Sequence, residues 1–359
     1  MPRRNVPSPL RIALVAPPWL PVPPDGYGGI EQVVYLLARE MEAHGHDVTV
    51  FARQGSSSEL NVVSLAPESW HQHLGSRDQG ARECLHLYRA YEMIRRRAFD
   101  LVHDHTGFAG IMIGGALRLT LPVIATLHGD LTEAEGELLT AVQERVGLVA
   151  ITASQQAQVA SVRWAGVVHN AVDTSGLEVG REKDCYLVQL ARITPDKGQH
   201  IAIEVARMVG RPLVLAGKVD PHGEDYFREA VEPHLGDDVR WIENVSGRDK
   251  AQLLARARAM IFPLQWAEPF GLAMVEAMAS GTPVVAFRQG SAPELIEEGV
   301  TGFLGDYPDD LAEAVERVHE IDPERCARNA RDRFSQKRMG EGYEAIYRNA
   351  VNRARDWPI

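Results

Sequence analysis

Short apolar runs rich in β-branched residues alternate along this chain with longer stretches whose apolar positions recur every three or four residues. The runs at 10–16, 47–52, 101–103, 123–127, 148–151 and 167–169 predict strands, with amphipathic helices such as 30–43 and 82–97 between them. The pattern then restarts, with strands expected at 186–191, 213–216, 239–242, 259–262, 284–287 and 302–304. Near-continuous apolar strands separated by helices imply parallel sheets covered on both faces, and two such series imply two doubly wound α/β domains. Residues 173–184, rich in Gly, Ser and charge and without periodicity, are the expected linker. The expected division is 1–172, then 173–334, with a C-terminal helical segment over 335–359; helices are read at 325–333 and 336–353 with no strand after them.

Composition changes this picture little. A length of 359 residues fits two cores better than one, and a net charge of −11 argues against a general nucleic-acid binder. The run Arg95-Arg96-Arg97 reads as a solvated helix end. Cys84, Cys185 and Cys326 are odd in number and far apart, which excludes a disulfide framework or a zinc pattern; all three are expected as buried thiols. The first ten residues are expected as a disordered lead-in, and the apolar run after them is too short for a signal peptide or a membrane span. A cytoplasmic protein without a transmembrane segment is expected, with peripheral membrane contact and oligomeric state left open.

Open parallel sheets place ligands at the carboxyl ends of their strands, so the chemistry is sought in the loops that follow them. The most informative stretch is A-E-P-F-G-L-A-M-V-E-A-M-A-S-G-T-P-V-V-A-F-R, from Ala267 to Arg288. It reads as loop, helix, turn and strand, with Glu268 before the helix and Glu276 between one and two turns inside it. Phe270, Gly271 and Leu272 stand where backbone N–H groups lack an intrahelical partner, which is a seat for a phosphate. Flanking carboxylates suit neutral hydroxyls, and the combination suits a sugar joined to a nucleoside diphosphate.

Other strand mouths add to this. A-R-I-T-P-D-K-G puts Arg192 and Lys197 around a turn, and Lys197 is one of only five lysines; a guanidinium and an ammonium complement a diphosphate. Gly217 in L-A-G-K permits close backbone approach, and Val245 and Ser246 follow the next strand. In the first half, a Pro-rich loop ends in Gly26, Gly28 and Gly29 without the dinucleotide spacing, and T-L-H-G-D puts His128 at a strand mouth. His103 and His105 are read as structural for want of a third metal ligand. No metal site is expected, and nothing resembles the acidic cluster of a magnesium-dependent transferase.

These segments, D-G-Y-G-G-I-E, T-L-H-G, H-N-A-V-D at 169–173, A-R-I-T-P-D-K-G, L-A-G-K and E-P-F-G-L-A-M-V-E-A-M-A-S-G-T-P-V-V-A, together resemble the family-4 retaining glycosyltransferases of the GT-B fold. They run in family order over nearly the whole chain; the E-x7-E spacing is the most specific, and N-A-V-D replaces the usual N-G-V-D. The resemblance implies two Rossmann-like domains with sheets facing across a cleft, the acceptor on the first, the donor on the second, and a C-terminal helix crossing back. It implies that Arg192 and Lys197 neutralise the diphosphate, helped by N–H groups at Gly28 or Gly29 and around Leu272. Glu276 would bind the ribose, Glu268 with Phe270 and Gly271 the transferred sugar, and Val245 and Ser246 the base. His128 would lie beside the anomeric carbon. The run P-P-D-G-Y-G-G-I-E-Q-V-V resembles a bacterial subset using UDP-glucose-like donors on small molecules or saccharides, which favours UDP over GDP.

The expected activity is metal-independent, retaining hexosyl transfer in carbohydrate biosynthesis, with the nucleotide sugar as co-substrate and no further cofactor. A nucleotide-sugar epimerase or hydrolase on the same fold, and a nucleotide-sugar binding protein without turnover, are the alternatives.

Overall fold

Thirteen strands over the described residues lie in two sheets whose paired strands all run parallel. The structure is a computed structural model and describes residues 8–117 and 119–356; the expected lead-in falls outside the described residues as far as residue 7. The first sheet contains β1 (Arg11–Val15), β2 (Asp47–Arg53), β3 (Val62–Ala66), β4 (Leu101–Asp104), β5 (Val123–Thr126), β6 (Val146–Ala150) and β7 (Gly166–Val167), in the order β3-β2-β1-β4-β5-β6-β7. The second contains β8 (Leu187–Leu190), β9 (Leu213–Ala216), β10 (Val239–Ile242), β11 (Ala259–Phe262), β12 (Val284–Phe287) and β13 (Gly302–Gly305), in the order β10-β9-β8-β11-β12-β13. The two doubly wound sheets read from the sequence are therefore present. One strand is additional: β3, an edge strand with Ser64 at its centre and mostly half-exposed side chains, lacks the continuous apolar run that betrays a strand buried on both faces.

The chain divides into two compact units. One comprises the residues up to Ile151, Gln156–Val168 and those from Met339 onward; the other comprises Thr152–Gln155 and His169–Arg338. In the first, Ile12, Ala13, Leu14 and Val15 of β1 are fully buried at the centre of the sheet. Tyr91, Leu87 and Ile94 from the helix Gln79–Arg95 pack over the same core. The helix Gln336–Asp356 adds two buried tyrosines to this unit. The Tyr347 hydroxyl is hydrogen-bonded to His103 Nδ1 at 2.6 Å, and the Tyr343 hydroxyl to Thr126 Oγ1 at 3.0 Å. Thr126 Oγ1 also meets His103 Nε2 at 2.8 Å, so both nitrogens of this buried ring are satisfied by the fold. In the second unit, the helix Leu272–Ala279 packs on Pro323–Arg333, and Met274, Val275, Ala277 and Met278 are buried.

Each sheet reverses its strand order once, between β1 and β4 and between β8 and β11. Loops leaving the two strands at such a point diverge and open a crevice beyond their carboxyl ends. In the second unit those loops carry Arg192 and Lys197 on one side and Glu268 on the other. In the first unit they carry Gly28 and His105.

The cysteines correct one expectation: Cys326 is buried, but Cys84 and Cys185 are exposed, and all three are free. Cys84 lies on the outward face of its helix and Cys185 in the segment before β8, where the apolar pattern gave no register. Among the described residues, no helix is long and apolar enough to cross a membrane.

Candidate functional site

The loop after β8 is shaped by two residues. Pro195 opens a single 3-10 turn over Pro195–Lys197, and Gly198 closes it in the left-handed region at φ 67°. A Cβ on Gly198 would stand 2.1 Å from the carbonyl oxygen of Pro263, so glycine here lets the loop after β8 lie against the loop after β11. Gln265 N–H donates to Asp196 O at 2.7 Å and fastens the two together.

This close approach brings Lys197 to Glu268. Lys197 Nζ lies 2.5 Å from Glu268 Oε2, its side chain 9% exposed and that of Glu268 15%. Trp266 Nε1 donates to the same Oε2 at 3.0 Å, and the ammonium lies 4.5 Å from the Trp266 ring centroid. One carboxylate oxygen thus receives two donors while the cation also rests against an aromatic ring. The loop holding Glu268 is braced from behind: Ser291 N–H donates to Glu268 O at 3.0 Å, Ser291 Oγ to Phe270 O, and Thr152 Oγ1 to Pro269 O at 2.8 Å. Gly290 permits the brace, since a Cβ there would stand 2.5 Å from Glu268 N. Arg192, in the same β8 loop, donates from its guanidinium to Asp220, which follows β9.

The helix Leu272–Ala279 begins where Gly271, at φ 93°, turns the chain. Met274 N–H is the first to bond back, to Gly271 O at 3.0 Å, leaving the preceding N–H groups pointing out of the helix start. Phe270 is buried and anchors the turn, with its ring edge-on to Phe334 at 5.9 Å. Glu276 lies further along this helix, its Oε1 2.7 Å from Lys250 Nζ. Lys250 belongs to the helix Gly247–Arg256, which the loop of Val245 and Ser246 feeds, so that loop and Glu276 are joined through one ion pair. Gly217 is committed to packing: its N–H donates to Ile242 O at 2.9 Å, its carbonyl accepts from Trp241 Nε1, and a Cβ would meet Ala191 O at 2.0 Å.

Gly28, Gly29 and His128 belong to the first unit. Gly28, at φ 151°, caps the helix Gly29–Ala43 and touches Pro24 so closely that a Cβ would stand 2.7 Å from its Cβ. Glu31 in the first turn is buried, and burial pushes its carboxyl up to about 7 despite a bond from its own backbone and the nearby Arg53 charge. His128 follows β5, half-buried, with Nε2 3.0 Å from His105 Nδ1. Burial pushes its imidazole down to about 4, so the ring is neutral at pH 7.

Residue reading alone overlooked Trp266, Lys250, Asp220 and Ser291, and read His105 as structural only. Trp266 stands two residues before Glu268 and Lys250 is another of the five lysines, which were the available signals. Chemically, the end of the second sheet offers two cations, a helix start with outward N–H groups and two carboxylates, a set able to hold an anion beside hydroxyl groups.

Residues 27–175 match the family described as Glycosyltransferase Family 4, and residues 178–333 match Glycosyl transferases group 1. The chain is 27% identical to a D-inositol 3-phosphate glycosyltransferase of Mycolicibacterium smegmatis, over 94% of this chain and 90% of that one. It is also 27% identical to the protein of that name from Mycobacterium tuberculosis, over 84% of this chain and 74% of that one. Among solved structures it is similar to AviGT4, a glycosyltransferase involved in avilamycin A biosynthesis, with a TM-score of 0.76 and 27% identity over 96% of this chain and 98% of that one. Anabaena Alr3699/HepE, solved with UDP and glucose, shares the fold at a TM-score of 0.73 and 20% identity, over 95% of this chain and 100% of that one. Matched by family in both halves and by fold along nearly its entire length, the chain belongs to glycosyltransferase family 4 and has the GT-B fold.

Proposed function

We propose that this glycosyltransferase moves a hexosyl group from a UDP-sugar to a hydroxyl of a small-molecule or saccharide acceptor, with retention at the anomeric carbon and without a divalent metal. The observation that carries the reading is the meeting of Lys197, Glu268 and the start of the helix Leu272–Ala279 where the second sheet reverses its order. As the bond from the anomeric carbon to the diphosphate oxygen breaks, negative charge grows on the leaving group. Fixed cations and N–H dipoles aimed there stabilise the transition state more than the ground state. In this reading Arg192 and Lys197 supply the positive charge otherwise asked of a metal. N–H groups of the Gly28–Gly29 turn assist them, Glu276 takes the ribose hydroxyls, and Val245 and Ser246 face the base. Glu268 with the N–H groups of Phe270 and Gly271 holds the sugar, and His128 lies beside its anomeric carbon. The departing phosphate oxygen accepts the acceptor's proton while the acceptor oxygen bonds to the same face of that carbon.

UDP is favoured by the D-G-Y-G-G-I-E loop, and a fold neighbour has been solved with UDP-glucose. The relatives' name makes D-inositol 3-phosphate the first acceptor to try. UDP release is to be measured from UDP-glucose, UDP-galactose and their GDP counterparts, with and without that acceptor, in EDTA. Acceptor-dependent release with a UDP-sugar in EDTA is expected. Rapid hydrolysis or epimerisation without any acceptor would favour the epimerase or hydrolase, and loss of activity restored by magnesium would end the metal-free part.

A further inference from the structure

His105 and His128 leave the loops after β4 and β5 side by side, with ring centroids 5.3 Å apart and nearly parallel at 24°. Their facing nitrogens, His105 Nδ1 and His128 Nε2, are 3.0 Å apart, so one must carry the shared proton and the other must accept it. His105 is 1% exposed, and its remaining nitrogen, Nε2, is buried without a partner. If His128 donated, His105 would carry its own proton on Nε2 and bury an unanswered N–H. If His105 donates, its Nε2 is left as a bare lone pair, and an unanswered buried donor is the rarer of the two defects. Burial holds His105 well below the ordinary imidazole range and His128 at about 4, so neither ring takes a second proton near pH 7. His103 keeps His105 in place, its ring 4.0 Å away and locked by Tyr347 and Thr126.

We propose that His105 is a positioning residue for His128: by donating Nδ1–H to His128 Nε2 it holds that ring as the Nδ1–H tautomer, presenting a hydrogen-bond donor to the bound sugar. The part concerning sugar rests on the reading of His128 given above, whereas the tautomer does not. An Nδ1–H donor recognises a hydroxyl or ring oxygen of the hexose, a contact that an Nδ1 lone pair would make only with a hydroxyl proton.

The test uses the full chain labelled with 15N-histidine at pH 7.5, with the His128 signals assigned by their loss in His128→Gln. The expected spectrum shows Nδ1 of His128 protonated and Nε2 bare. In His105→Phe the population should move towards Nε2–H, and UDP release from UDP-glucose, with and without D-inositol 3-phosphate, should fall roughly 10–100-fold in kcat with KM within about threefold. His105→Asn, whose amide N–H can reach the same acceptor, should restore both the tautomer and most of kcat. An Nε2–H tautomer in the unaltered chain would overturn the proposal. So would a His105→Phe protein with an unchanged spectrum, or one with a changed spectrum and unchanged kcat. The spectrum needs no turnover. The predicted tautomer in a chain whose His128→Gln variant transfers sugar normally would therefore refute the role given to His128, and not the effect of His105 on its ring.

Discussion

Lys197 and Glu268 neutralise one another across 2.5 Å, with Trp266 donating to the same carboxylate oxygen. The two charges proposed to meet opposite ends of a sugar diphosphate are thus coupled before any ligand arrives. Lys197→Met should raise the barrier by about 2–4 kcal/mol, seen as a fall in kcat for UDP release. It should also cost about 1–3 kcal/mol of stability, because Glu268 is left nearly buried without its cation. Adding Glu268→Gln should recover part of that stability in urea unfolding and none of the turnover. Turnover close to that of the unaltered chain in Lys197→Met would mean that the ammonium does not face the leaving group.

Glu276 should act on binding rather than on the chemical step. Its carboxylate is held by Lys250 at 2.7 Å, and a ribose would compete with or share that contact. Glu276→Ala should weaken UDP binding by about 1.5–3 kcal/mol in calorimetry, the range of a hydrogen bond to a charged group. Unchanged UDP affinity would remove the ribose assignment.

Stability should depend on pH in a direction set by Glu31. The folded chain keeps this proton up to about pH 7, whereas the ordinary carboxyl of an unfolded chain releases it near 4.5. The folded state binds more protons in that window, so this residue's contribution is lost as pH rises from about 4.5 to about 7. Glu31→Gln should be more stable than the parent by about 1–3 kcal/mol at pH 8 and nearly equal at pH 4.5. The buried His86, held at about 4 against an ordinary 6.5, acts with the opposite sign and weakens the fold as pH falls through that range. Unfolding midpoints in urea at pH 4.5, 6 and 8 check both.

Tyr347→Phe should destabilise the first unit. The change removes the partner of His103 Nδ1, 2.6 Å away in a fully buried setting, at a cost of about 1–3 kcal/mol. Because His103 steadies His105, the same variant should disturb the His128 tautomer, which the 15N spectrum reports.

The sheets were legible because most of their strands, such as Ala259–Phe262 and Val284–Phe287, are largely buried and so write themselves as nearly unbroken apolar runs. β3 escaped because an edge strand such as Val62–Ala66 keeps only a partial apolar pattern. In the candidate site, Gly271 and Glu268 were legible because a helix start demands local chemistry. Lys250 and Asp220 were not, since each matters through a partner distant in sequence: Lys250 reaches Glu276 across 26 positions, and Asp220 reaches Arg192 across 28. Trp266 bonds to the nearby Glu268, but its ring contact with the Lys197 ammonium is made only by the fold. His105 escaped for a subtler reason. Its position was noticed, but its effect depends on which nitrogen lacks a partner, and only packing decides that.

Residues from Met339 onward belong to the unit formed by the start of the chain. A ribosome delivers that unit's sheet first, then some 170 residues belonging elsewhere, and only after them the tyrosines that close over His103 and Thr126. Throughout synthesis, therefore, the earlier lobe waits with its polar interior unsealed while the later one is made. A nonsense codon between Arg338 and Tyr343 would remove both tyrosines and so cripple the half encoded first.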